Sequence, residues 1–340
     1  MAQKARNDNV REVNRIGTKN GTNRAQERQD EEEDMQDSMY AYMKPGIVHF
    51  KAYPEVALGE GPIVETLRKI CEDDFWMAVE VGWMKDVKVR DEARMVIAAS
   101  HITVVYACQP AMFSQKLNVN HLDPGERKKA LNQIRNCIHE AYQLGSRSVN
   151  VFSGKDPGDA KREEAKKLLI DSLIQICDWA KEYDEMEVHL KIFDRDVDKQ
   201  FLIGPFKEAL EIARVVRAHY PKFGLLSDLS HFPLLREDPA ASVKLVKEYL
   251  VHYHIGNCVH PDNKRHFLYG DLQPRFGMEE TVLDTADVAA YFRTLLDEGL
   301  LGKGKRPIVS AEVRPLLHYE TSELVLANTK RVFKEAWALA

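Results

Sequence analysis

The sequence predicts an α/β protein, a (β/α)8 TIM barrel preceded by a disordered, charged N-terminal extension. Two observations carry that reading. First, eight short β-rich runs alternate strictly with eight amphipathic helical stretches. Such alternation builds a parallel sheet with crossover helices, and residues 45–340 are enough chain for a closed eight-unit barrel. Second, polar residues stand at the C-terminal ends of many strands: His49, Glu80, Gln109, Lys155, Asp228, His254 and Glu312. A doubly wound sheet would gather them at one switch point, whereas a barrel spreads them around a rim.

Residues 1–44 are rich in Asn, Gln, Arg, Lys and Glu and contain an acidic run at 31–34. They offer too little apolar surface to offset their ordering entropy, so this segment reads as a disordered tail. Strands are expected at residues 46–51, 77–83, 102–107, 148–152, 188–193, 224–228, 250–255 and 307–313. Helices are expected at 60–71, 87–99, 123–144, 159–181, 206–219, 240–249, 285–298 and 321–339. The first helix carries Ile63, Val64, Leu67 and Ile70 at helical spacing. The third opens on Asp123-Pro124, a capping acid followed by a first-turn proline, and stops at Gly145. The fourth lines up Leu169, Leu173 and Ile176, and the fifth stops before Pro221.

Composition bounds the function. The chain is 44% hydrophobic and 30% charged, with a net charge of −5, so no overall basic bias points to nucleic acid. No apolar run approaches the roughly 20 residues of a membrane span, and the first residues lack the apolar core of a secretory signal. The cysteines, at 71, 108, 137, 177 and 258, are scattered and form no CxxC pair. They read as reduced thiols of a cytoplasmic protein.

The chemistry concentrates in three stretches. Phe223-Gly-Leu-Leu-Ser-Asp228-Leu-Ser-His231 is an apolar strand ending in an acid and, three residues on, a histidine. His252-x-His254, with His260 six residues later, ends the seventh strand. Ser310-Ala-Glu312-Val-Arg314-Pro315 ends the eighth. An acid or histidine at one strand end is weak evidence. Corresponding positions on three successive strands form a set that suits a divalent ion.

On these motifs the chain resembles the xylose-isomerase-like barrel superfamily over roughly residues 45–316. The likeness is strongest to its sugar phosphate isomerase/epimerase members, a group that includes the ketohexose 3-epimerases; endonuclease IV shares the superfamily. The resemblance implies that Asp228, His254 and Glu312 bind Mn²⁺, Mg²⁺, Co²⁺ or Zn²⁺, with Glu312 also an acid/base residue. It implies that His231 and His260 hold substrate oxygens, although relatives usually carry Arg at the second of these positions.

One position departs from the pattern. Relatives carry a fourth ligand, a glutamate, near the end of strand five. Aligned on Phe193-Asp194-Arg195-Asp196, that position falls on Lys191. A protonated lysine cannot ligate a dication and repels it. Three readings stay open. The ion binds more weakly through three protein ligands; or the Lys191 ammonium replaces it, ringed by Asp228 and Glu312; or the register is off by two and His189 supplies a ligand or base. His189 and Lys191 share a strand face in any of them.

Two further residues are candidates. Glu80 hydrogen-bonds His49 or a substrate hydroxyl, or is a carboxylate paired inside the barrel. Arg275 lies in a loop punctuated by Gly270, Pro274 and Gly277, which reads as a lid with Arg275 touching substrate. The expected activity is isomerisation or epimerisation of a sugar by proton abstraction next to a carbonyl. Glu312 is one acid/base residue and His189 or Lys191 the other. The alternatives are the metal-binding subunit of a C-glycoside deglycosylase, a lyase, and a non-catalytic barrel degraded by Lys191. The expected partner is a small sugar or glycoside, with a homo-oligomer or a small partner subunit as further options and no nucleic acid or membrane.

Overall fold

The computed structural model describes residues 37–340, so the expected disordered extension lies, up to residue 36, outside the described residues. Met39 and Met43 are already buried in the core. Eight parallel strands close into a barrel in sequence order. They are β1 (Lys44–Val48), β2 (Ala78–Val81), β3 (Thr103–Ala107), β4 (Ser148–Phe152), β5 (Glu187–Lys191), β6 (Phe223–Asp228), β7 (Leu250–Ile255) and β8 (Ile308–Ala311). The main helices are α1 (Ile63–Cys71), α2 (Val87–Ser100), α3 (Pro124–Gln143), α4 (Asp159–Lys181), α5 (Phe206–His219), α6 (Pro239–Val246), α7 (Thr285–Asp297) and α8 (Ser322–Leu339).

The expected punctuation is present. Asp123 caps α3 by accepting from the Glu126 amide at 2.9 Å, Asp238 caps α6, and Asp284 forms a capping box at α7. Several strands end earlier than periodicity suggests. β1 stops at Val48, and His49–Ala52 turns into a single helical turn. β5 stops at Lys191 rather than 193. Short helices at Gln109–Ser114 and His231–Leu235 occupy stretches read as loop. In each case the chain leaves the ladder at the C-terminal rim of the barrel.

Side chains alternate along each strand between the barrel axis and the helices. Ser227 of β6 points outward and its hydroxyl meets the Tyr291 hydroxyl of α7 at 2.7 Å. Its neighbour Asp228 therefore points to the axis, beside His254 in the β6/β7 register. Barrel interiors are usually filled by bulky branched side chains. Here Glu80, Asn150, His189, Lys191, His252, His254 and Glu312 fill it, each no more than 3% exposed. Close strand approach requires Gly224, where a Cβ would come within 2.4 Å of Val251 Cγ2 and 3.0 Å of the Tyr249 carbonyl. Gly224→Ala is expected to destabilise the barrel by about 1–3 kcal/mol, read as a lower urea midpoint with unchanged slope.

All five cysteines are free, four of them buried. Among the described residues no helix is long and apolar enough to cross a membrane.

Candidate active site

At the C-terminal ends of β5 to β8 the axis-facing residues form one buried ionic cluster. Lys191 closes β5 and its Nζ lies 2.9 Å from Asp228 Oδ2 and 3.2 Å from His254 Nδ1. It also donates to Glu312 Oε2. Glu312 takes His254 Nδ1 at 2.9 Å on the same oxygen, and Lys51 Nζ lies 3.0 Å from its Oε1. Asp228 is oriented through its other oxygen, which accepts from the Ser230 amide at 3.0 Å and the Ser230 hydroxyl at 2.7 Å. Below this layer, Glu80 Oε1 receives His254 Nε2 at 2.8 Å and lies 3.0 Å from His252 Nε2, and its Oε2 accepts from Asn150 at 2.7 Å.

The charges follow from these contacts. Burial alone would strip the Lys191 proton, but Glu312, Asp228 and Asp271 outweigh it and hold its pKa above the ordinary lysine value. Burial likewise opposes a charge on His254, yet Glu80 and the hydrogen bonds to Asp228 and Glu312 raise its pKa to about 10. Burial would raise Glu312, and Lys191 and Lys51 overcome it, leaving Glu312 well below the usual carboxylate range. Asp228 is lowered in the same way by Lys191, and Glu80 by His254 and His252. In His252 burial prevails and lowers the pKa to about 4.

Asp228, His254 and Glu312 bring one potential ligand atom each within 4.8 Å of one another, as do Glu80, His252 and His254. The donors that a metal would need are therefore assembled, but they do not fit a dication as they stand. Lys191 touches all three members of the first group. Lys191 and Lys51 already stand as the counter-charges of Asp228 and Glu312. A divalent ion would add two uncompensated charges to a dry interior.

A family model described as xylose isomerase-like TIM barrel matches residues 70–314. The chain belongs to this family. Among solved structures it is similar to a D-tagatose 3-epimerase-like protein, at 17% identity and a TM-score of 0.67 over 87% of this chain and 98% of that one. It is also similar to the IOLI protein with a binding zinc atom, at 17% identity and a TM-score of 0.66 over 87% and 98% of the two chains. A 3-keto-D-glucoside 4-epimerase from E. coli, in its apo form, matches at 16% identity and a TM-score of 0.61 over 86% and 99%. Identities this low establish a shared barrel and no shared activity. No curated protein matches the chain in sequence.

On this family barrel the sequence-predicted residues sort into two groups. Asp228, His254, Glu312 and Lys191 come together as expected, and the register that puts Lys191 on the rim is the one found. His231 lies beside them, its Nε2 3.9 Å from Asp228 and 3.8 Å from Asp271, with neither ring nitrogen hydrogen-bonded. His189 does not join them. It points to the axis one layer lower, where it bonds Glu187 at 3.1 Å and His252 at 3.3 Å. It faces a hollow on the opposite, N-terminal face, so the reading of His189 as ligand or rim base is corrected.

Glu80 is fully buried and wholly engaged inside the barrel, so it is not placed to hold substrate. His49 does not meet it and bonds Thr66 Oγ1 at 2.8 Å instead. His260 is a surface residue, its side chain 54% exposed and 3.6 Å from Asp262. Arg275 pins its loop to Glu320 at 2.9 Å and to the Phe276 carbonyl, away from the cluster. The loop does cover the site, but through Gln273. Its backbone adopts φ 55°, a left-handed conformation few non-glycine residues take. Its amide accepts from Lys51 at 3.1 Å and donates to Asp228 at 3.4 Å. Lys51 and Gln273 are the functional candidates that sequence reasoning missed.

Proposed function

We propose that this chain is a sugar isomerase/epimerase-like enzyme of the cytoplasm that moves a proton next to the carbonyl of a small sugar or sugar-like substrate, with Lys191 in place of a divalent ion. The observation that carries the proposal is the contact of the Lys191 ammonium with Asp228, His254 and Glu312 at the rim of a family barrel. Lys191 keeps Glu312 and Asp228 ionised and fixed. Lys51 is the cation with an exposed edge, its side chain 18% accessible, and it meets Glu312 on the oxygen that Lys191 leaves free.

In the proposed step Lys51 donates to the substrate carbonyl oxygen and Glu312 Oε1 takes the proton from the neighbouring carbon. The C–H electron pair becomes the C=C bond of an enediol, and the carbonyl pair moves to the oxygen that Lys51 protonates or stabilises. Return of the proton to either face or to the other carbon gives the epimer or isomer. When Lys51 turns to the substrate, Glu312 loses one of the three groups, Lys191, Lys51 and His254, that lower its basicity.

The test is exchange of substrate carbon-bound hydrogen with D₂O, followed by NMR in the presence of chelator, across ketoses, aldoses and 3-oxo-glycosides. Exchange is expected in at least one of them, and Glu312→Gln is expected to slow it by about 10²–10⁴-fold. Exchange that needs added divalent metal, or none with any substrate, would remove this reading. Release of an aglycone from a 3-oxo-glycoside would replace it with lyase chemistry.

A further inference from the structure

A cavity of about 350 Å³ opens on the C-terminal rim between the segments that follow β1, β3 and β8. Phe50, Leu58 and Phe113 contribute apolar wall, while Lys51, Gln109 and Arg314 supply the charged and amide groups. Lys51 connects it to the ionic cluster through Glu312.

We infer that this cavity takes the anionic group of the substrate, a phosphate or a carboxylate, through Arg314 and Gln109, with Lys51 at its inner edge beside Glu312. The inference rests on the proposed reaction at Glu312 and names the substrate class for it.

Three observations lead there. Gln109 is only 4% exposed, yet its Nε2 has no hydrogen-bond partner. A buried donor left unmet is costly unless a ligand meets it. Arg314 uses its backbone amide to bond the Gln273 carbonyl at 2.9 Å. Its guanidinium makes no ion pair or side-chain hydrogen bond among the described residues and stands exposed at the cavity edge. No aspartate or glutamate lines the cavity, and Lys and Arg side chains can only donate. A neutral sugar presents hydroxyls that both donate and accept. A wall of two cations and an unmet amide N–H is better matched by the acceptor-only oxygens of a phosphate or carboxylate, which a guanidinium grips with two parallel bonds. With that group at Arg314, the carbonyl end of a short sugar is left for Lys51 and Glu312.

The experiment is calorimetric titration of the full chain with D-fructose, D-fructose 6-phosphate and 5-keto-D-gluconate, with inorganic phosphate as the bare-anion probe. At least one anionic ketose should bind about tenfold or more tightly than D-fructose, and its affinity should fall with salt. Whichever anionic ketose binds more tightly identifies the group. Arg314→Ala and Gln109→Leu should each weaken the anionic ligand about tenfold while leaving D-fructose unchanged. Equal affinity for neutral and anionic ketoses, or anion binding untouched by Arg314→Ala, overturns the inference. Because binding is read without turnover, anion binding without D₂O exchange would sink the proposed chemistry and spare the cavity. Exchange on neutral ketoses with no anion preference would do the reverse.

Discussion

Lys191→Glu is expected to turn the rim cluster into a divalent-metal site. Calorimetry with Mn²⁺ should show about one ion per chain, bound at least roughly a thousandfold more tightly than by the wild type. In the wild type a dication among Asp228, His254 and Glu312 must displace or face the Lys191 ammonium. At a separation of about 4 Å and an effective dielectric of about 20, that repulsion is on the order of 8 kcal/mol. Movement of Lys191 would recover part of it, which is why the expected gain is smaller. The substitution removes the repulsion and adds a carboxylate on the same axis-facing position of β5. His254 Nδ1 is then no longer faced by the Lys191 ammonium and can serve as a ligand, the incoming ion displacing its proton. No gain in affinity would mean that the three candidate ligands do not form a site even when cleared.

Lys191→Met is expected to destabilise the barrel by about 3–5 kcal/mol, or to lower the melting temperature by of order 10 °C. Methionine fills much of the same volume but leaves the fully buried Asp228 and Glu312 without their shared cation. The cost lies in the orphaned carboxylates rather than in a cavity. Adding Asp228→Asn and Glu312→Gln should therefore recover a large part of the loss, and that non-additivity separates ion pairing from packing. A fully additive triple variant would contradict the assigned role of Lys191 as the counter-charge.

The rim cluster is legible in sequence because period-two alternation decides which strand residues face the axis, and Asp228, His254 and Glu312 each stand at a strand end. The placement of Lys191 is legible for the same reason. Its meaning is not, since ligand position and counter-charge differ only in what surrounds the ammonium. Lys51 escapes because β1 ends at Val48, and the helical turn that follows carries Lys51 back over the rim, a turn no alternation pattern reveals. Gln273 escapes because one left-handed residue in a long loop decides where its amide goes. His260 and Arg275 are misread for a related reason: spacing from a strand end in a loop says nothing about direction. His189 is misread by depth. A shared face puts it on the axis with Lys191, but two residues along a strand span more than 6 Å, enough to move it to another layer.

Whether the Lys191 ammonium is the resident cation of this barrel is decided by elemental analysis of the purified wild-type chain. The expected result is less than about 0.1 equivalent of Mn, Co, Zn or Mg per chain, since a dication there needs deprotonated ligands that Lys191 and the protonated His254 deny it. About one equivalent of a divalent metal per chain, lost together with Asp228→Ala, would contradict it.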